Sequence, residues 1–182
     1  MVLKIILFVL GTGFLIYVSR SSLREPHPHG FFCFFAWEAM LILFTFNAEH
    51  WFENPFSWYQ CIAWTLFFLC IVPGVWGAIL LRKRGSPGER RDASLLEFEK
   101  TTQLVTSGLY HHIRHPMYSS LLLLVWGIFF KRPSWFGGAL ATVATAFLFL
   151  TARADESECI HFFGPIYEQY MKRTKRFIPF IF

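Results

Sequence analysis

Five stretches of the chain, 2–19, 30–48, 58–81, 117–130 and 134–152, run almost without charge. Away from water an unpaired backbone N–H or C=O is costly, and a helix satisfies both groups within one segment. Apolar runs of this length with no strict alternation therefore predict helices that cross or enter a bilayer. The rest of the composition agrees. A soluble domain of this size needs more water-facing surface than a chain with 16% charged and 54% hydrophobic residues supplies. The expected fold is an all-α integral membrane protein with about five transmembrane helices.

The fourth stretch is short. Its length corresponds to about 21 Å of helix against a hydrocarbon core of roughly 30 Å. It is expected to form a hairpin with the fifth, with Lys131 and Arg132 at the tip. The first stretch follows Lys4, and "YVSRSS" shows no small-residue cleavage pattern, so it reads as a retained helix rather than a removed leader.

Lys and Arg set the expected orientation. "RKRGSPGERR" after the third stretch and "KRTKR" near 172–176 are dense in positive charge, whereas the connection between the second and third stretches holds Glu49 and Glu53 with no Lys or Arg. The 82–106 loop and the C-terminal tail are thus expected in the cytoplasm, with the N-terminus outside and Arg20 and Arg24 inside. Lys131 and Arg132 conflict with this unless the hairpin tip is held within the protein. The net charge of +5 reflects this topology and attraction to anionic membrane lipid, and no nucleic-acid partner is expected.

No internal repeat is visible, and the chain reads as one domain over 1–182. Three membrane helices fill 1–81, a loop that mixes turn formers with charge leads to a first polar motif over 82–116, the hairpin occupies 117–152, and an acidic motif and tail follow over 153–182. Cys33, Cys61, Cys70 and Cys159 form no C-x-x-C pair, which gives neither a disulfide framework nor a zinc knuckle.

Two polar clusters stand out against this apolar background. "SGLYHHIRHPMYSS" brings His111, His112 and His115 together, and "HHIRH" resembles a reversed histidine box of membrane di-iron oxygenases. Such sites need more histidines in separate boxes than the seven in this chain, so no metal is expected. A plainer reading is that Pro116 opens a helix, where its missing N–H is harmless, and that Arg114 and Tyr118 anchor at the water boundary. The second cluster, "TARADESECIHFFGPIYEQY", places Arg153, Asp155, Glu156 and Glu158 where the fifth stretch leaves the membrane. Carboxylates at such a boundary must be paired or solvated. If the last two helices form a hairpin, the start of one meets the end of the other, and Arg114, His115 and Tyr118 face Arg153 and Glu156. A gap lined by both charge signs suits a zwitterionic ligand.

At these residues the chain resembles a known family. "LVTSGLYHHIRHPMY", a helical hairpin, and "RADESECIHFFGPIYEQYMKRTKRFIPFI" are similar to the isoprenylcysteine carboxyl methyltransferases and their wider class of integral-membrane methyltransferases, which includes phospholipid N-methyltransferases. The resemblance runs from Thr101 to the end. It implies S-adenosylmethionine bound in a cytoplasmic pocket completed by the C-terminal segment, with cofactor contacts from Gln103, Leu104, Val105, Tyr110, Arg114, His115, Pro116, Tyr118 and Glu156. It also implies Arg153, Asp155 and Glu156 as the catalytic set, and a lipophilic acceptor entering from the bilayer. The chemistry is consistent, since a sulfonium is stabilised by aromatic faces and carboxylates and a methionyl carboxylate by arginine. A carboxylate acceptor needs no general base, whereas an amine must lose a proton, to Asp155 or Glu156.

One position departs from the family. Its substrate-facing arginine sits four residues before the first acidic position, where this chain has Thr151. Arg153 lies two residues further on, about 200° round a helix. Either the helix ends before Arg153, or the acceptor's carboxylate is not read by it. Glu38, inside the second stretch, is an intramembrane carboxylate that marks either a pathway or a bond to a neighbouring helix. The leading expectation is carboxyl O-methylation of isoprenylcysteine or a similar molecule. The alternatives are a phospholipid or small-amine N-methyltransferase and a non-catalytic membrane scaffold.

Overall fold

The computed structural model describes residues 2–24, 28–85 and 101–179. The charged run 86–100, expected as a loop, and His27 lie outside them. Helices follow in the order α1 (Val2–Val18), α2 (Arg20–Arg24), α3 (Pro28–Asn47), α4 (Trp58–Ile71), α5 (Gly77–Arg84), α6 (Pro116–Lys131), α7 (Trp135–Phe163) and α8 (Pro165–Arg173). Three continuous helical segments, Pro28–His50, Trp58–Arg84 and Trp135–Phe163, are long and apolar enough to cross a membrane, and α1 and α6 are shorter apolar helices. Among the described residues there is no sheet, only an isolated parallel bridge between Ile113 and Lys175.

The centre of the bundle is the α3–α7 contact. Ala36, Ala39, Met40 and Leu43 on α3 meet Ala141, Ala144 and Leu148 on α7, with Val125 and Ile128 of α6 closing the cluster. Small residues at helical spacing let the two backbones approach closely, which is how helices associate where lipid removes the hydrophobic drive. The hairpin of α6 and α7 expected from length is present, and α6 packs inside it against α4 and α3.

The third apolar stretch is one helical column with a π-helical turn at Val72–Trp76. Pro73 lacks the N–H that an α-helix would use, and the neighbouring Ser120 donates to the Cys70 carbonyl at 2.8 Å. An α-helical residue 73 would have bonded the Leu69 carbonyl, so the Ser120 bond is an added tie from α6 one residue further on.

Two differences from the sequence reading matter for the site. The last membrane helix does not stop at 152 but continues to Phe163. Hydropathy ends where the helix leaves the bilayer, whereas the helix ends where Gly164, at φ 62°, and Pro165 break it. The second stretch begins at Pro28 rather than at 30, which puts His29 in the first helical turn.

The ends of the bundle are chemically distinct. At one end Lys4 pairs with Glu49 at 2.8 Å, and His50 bridges Glu53 and Arg132. There Lys131 is buried, its ammonium bonded to Gln60 Oε1 and standing 3.9 Å from the centre of the Trp64 ring. Lys131 is thus held within the protein, whereas Arg132 stays exposed beside His50, so burial takes only one of the two cations out of conflict with the charge bias. The opposite end carries the two polar clusters. Within the bundle, Glu38 accepts from Thr12 of α1 at 3.1 Å.

Candidate functional site

The site is built where the start of α6, the end of α7, α8 and the tail converge. Three backbone bonds clip the tail onto the segment before α6: Arg114 N–H donates to Lys175 O at 2.8 Å, His115 N–H to Arg176 O at 3.1 Å, and Lys175 N–H to His112 O at 3.0 Å. Ser119 Oγ adds a bond to Phe177 O at 2.7 Å. Gly108, at φ 64°, turns the chain into a short 3-10 segment (Gly108–His111), and a Cβ there would lie 2.7 Å from Leu80. That turn delivers Tyr110, whose carbonyl accepts from Tyr170 of α8 at 2.6 Å.

Glu156 is the electrostatic centre. Arg114 Nε donates to Oε1 at 2.8 Å, Arg176 donates through Nε at 3.1 Å and Nη2 at 2.7 Å, and His115 Nε2 stands 3.3 Å away. The other imidazole nitrogen, Nδ1, is 3.4 Å from Asp155 Oδ2. Only a protonated ring donates from both nitrogens. Burial works against that charge at His115, but the Asp155 and Glu156 carboxylates outweigh it and hold the imidazole above its ordinary value.

Beside this knot lies a recess of about 90 Å³ that opens to solvent. One α7 stripe at four-residue spacing, Asp155, Cys159 and Phe163, forms a wall, faced by Tyr110, His115 and Tyr118. Tyr167 and Tyr170 of α8 close another side, and burial pushes both hydroxyls above the usual phenol range, so both stay neutral. Leu104, Val105 and Arg114 also line the recess.

Residues 89–169 match the family model of phospholipid methyltransferases. The match covers a little under half of the chain, and spans the recess from Thr101 to Tyr167 while stopping before Tyr170 and Arg176. No curated protein and no solved structure matches the chain. The matched segment is similar to phospholipid methyltransferases, membrane enzymes that act on lipid-type acceptors and use S-adenosylmethionine. The residues fit such a cofactor. Aromatic faces and the Asp155 carboxylate suit a sulfonium, and the Arg114 guanidinium lies within reach of a carboxylate.

Measured against this recess, the sequence-named residues divide. Leu104, Val105, Tyr110, Arg114, His115, Tyr118 and Asp155 line it. Glu156 lies behind the lining, bound to two arginines. Pro116 is fully buried under Gly77, and Gln103 is exposed, with its N–H bonded to Gly85 O. Arg153 stands exposed on the continuous helix, so the swing that would return it to the site does not occur. The cation that joins Arg114 on Glu156 is instead Arg176, which sequence reading passed over as one cation in a basic tail. His29 was also passed over, as a histidine among prolines.

Proposed function

We propose that the protein transfers a methyl group from S-adenosylmethionine to a nitrogen in the headgroup of a lipid-tailed acceptor. The observation that carries this reading is the charge arrangement of the recess within the phospholipid methyltransferase match. Its lining carboxylate is Asp155, while Arg114 and Arg176 both converge on Glu156 behind it. A cationic headgroup meets a carboxylate there, and no arginine takes the family's place at Thr151, whose hydroxyl bonds its own helix at Phe147 O, 2.8 Å away.

In this reading Leu104, Val105, Tyr110, His115 and Tyr118 hold the cofactor, Arg114 its carboxylate and Asp155 its cationic groups. The bound cofactor supplies the methyl group as an electrophile. Glu156 fixes Arg114, His115 and Arg176, and the clipped tail excludes water. Holding donor and acceptor in line in this way contributes on the order of 7–11 kcal/mol in well-oriented systems. The recess faces the cytoplasm, supported by the basic residues Arg82–Arg84 and Lys172–Arg176 at its end of the bundle. Methyl transfer to an isoprenylcysteine carboxyl group is the second reading. It is favoured by Arg176, the cation that would have to turn from Glu156 toward a carboxylate.

The test is calorimetric titration of S-adenosylhomocysteine into detergent-purified wild type, Asp155→Asn and Arg153→Ala, followed by chemical analysis of methylated lipid. Saturable binding, weakened by Asp155→Asn and unchanged by Arg153→Ala, with a base-stable methylamine product, is expected. A base-labile ester product would replace the nitrogen reading with the carboxyl one, and no binding by folded wild type in lipid would remove both.

A further inference from the structure

His29 occupies a position the sequence gives no reason to single out. It sits in the first turn of α3, is 3% exposed, and its Nε2 lies 2.6 Å from the hydroxyl of Tyr118. Tyr118 lines the recess and is itself 7% exposed. Nδ1 of His29 is buried with no hydrogen-bond partner among the described residues. A buried histidine with a purely structural task normally has its second nitrogen tied to a carbonyl or carboxylate, which fixes one tautomer. An untied buried ring nitrogen is destabilising by about 1–3 kcal/mol. With Nδ1 untied, nothing commits Nε2 to carry the ring proton, and Nε2 can accept from the Tyr118 hydroxyl.

We propose that Tyr118 and His29 form a proton relay that deprotonates the acceptor nitrogen. The inference rests on the nitrogen reading above. A lipid amine arrives as an ammonium, with no lone pair to attack and a charge that repels a sulfonium. The N–H proton passes to the Tyr118 oxygen as the Tyr118 O–H proton passes to His29 Nε2, leaving a neutral amine, a neutral phenol and an imidazolium. The freed lone pair bonds the methyl carbon of the cofactor, and the S–C electron pair stays on sulfur. Once the product has left, the Nε2 proton returns to the Tyr118 oxygen as the Tyr118 O–H proton passes to water in the open recess, which restores the neutral ring for the next turnover. Tyr118 is then the catalytic group at the wall and His29 the proton sink behind it. The carboxylates near enough to compete are Asp155 and Glu156 on α7, and both already face His115, Glu156 with Arg114 and Arg176 as well.

The experiment compares wild type, His29→Gln and Asp155→Asn. Glutamine keeps an amide near the Tyr118 hydroxyl but cannot relay a proton. Single-turnover methylation of a lipid with an ethanolamine headgroup is followed against pH, beside S-adenosylhomocysteine affinity. In parallel, ¹⁵N spectra of histidine-labelled wild type with bound S-adenosylhomocysteine are recorded after adding ethanolamine or choline lipid. In His29→Gln the rate is expected to fall by about 10²–10⁴-fold and lose its rise with pH, with the S-adenosylhomocysteine affinity retained. The signal missing from His29→Gln is expected to move toward the imidazolium pattern with ethanolamine lipid and not with choline lipid, which has no N–H. Wild-type rate and pH profile in His29→Gln, or a His29 signal that stays neutral whichever lipid is added, overturns the relay while leaving methyl transfer standing. Rate and pH dependence that follow Asp155 instead do the same. Absence of S-adenosylhomocysteine binding by wild type overturns the function itself, and the relay with it.

Discussion

Arg176 reaches back twenty residues to grip Glu156 with two hydrogen bonds, Nε at 3.1 Å and Nη2 at 2.7 Å, and in doing so ties the tail to the far end of α7. Glu156 and the Arg114 that shares it are both nearly withdrawn from solvent, at 5% and 9% side-chain exposure. Removing one member of such a set strands charges that have already lost their water. Glu156→Ala is expected to lower stability by about 3–5 kcal/mol, read as an earlier thermal transition in detergent. Arg176→Ala, which leaves Arg114 on Glu156, is expected to do less. Additive effects in the double variant would show that the pair is not coupled.

His115 gives the site a pH dependence of defined sign. Its folded-state value lies above the ordinary 6.5, so the folded protein binds the proton more tightly than the unfolded chain. The stabilisation is full below about pH 6.5 and is lost as pH rises through the folded value. Asp155 and Glu156 favour the proton, Arg114 and Arg176 oppose it, and Tyr118 and Phe177 supply the neutral walls. Thermal stability of wild type is expected to decline between neutral and mildly alkaline pH, and that of His115→Asn to stay flat over the same range. Parallel curves for the two proteins would be evidence against the assignment.

Gly108 and Gly164 separate two kinds of backbone demand. Both have positive φ, but a Cβ at Gly108 meets Leu80 at 2.7 Å whereas a Cβ at Gly164 meets nothing within 4 Å. Gly164→Ala is expected to cost about 1–3 kcal/mol from backbone strain alone. Gly108→Ala is expected to cost more and to weaken S-adenosylhomocysteine binding by displacing Tyr110. Equal stability losses, with affinity untouched in both, would contradict this.

At the other end of the bundle, the Lys131–Gln60 bond predicts an asymmetry. Gln60→Ala leaves a buried ammonium with only the Trp51 and Trp64 faces for company and is expected to destabilise by about 3–5 kcal/mol. Lys131→Met removes the charge itself and leaves a neutral amide oxygen, for about 1–3 kcal/mol. Thermal melts of the two variants decide the order.

The helices were readable in the sequence because bilayer thickness imposes a length on every apolar run, and α6 betrayed its hairpin role by being too short for that length. The extension of α7 was not readable from hydropathy, because Arg153, Ala154, Asp155 and Glu156 continue a helix perfectly well in water. Position along that helix then decides function: Asp155, Cys159 and Phe163 share the recess face and Arg153 does not. The recess lining at Tyr110, His115 and Tyr118 could be named because local motif residues carry it. Arg176 and His29 could not, because each acquires its meaning from a partner 20 and 89 residues away.

The bridge between Ile113 and Lys175 closes a chain loop that contains the whole α6–α7 hairpin. Its two sides can meet only if the chain has entered the membrane with α6 and returned with α7 to the same surface. A hairpin stranded halfway, or inserted the wrong way up, leaves the tail with nothing to clip onto and the recess without a wall. Under the proposed function, cofactor binding therefore doubles as a proofreading of membrane insertion: a molecule that can hold the cofactor is one whose α6–α7 hairpin has been threaded correctly.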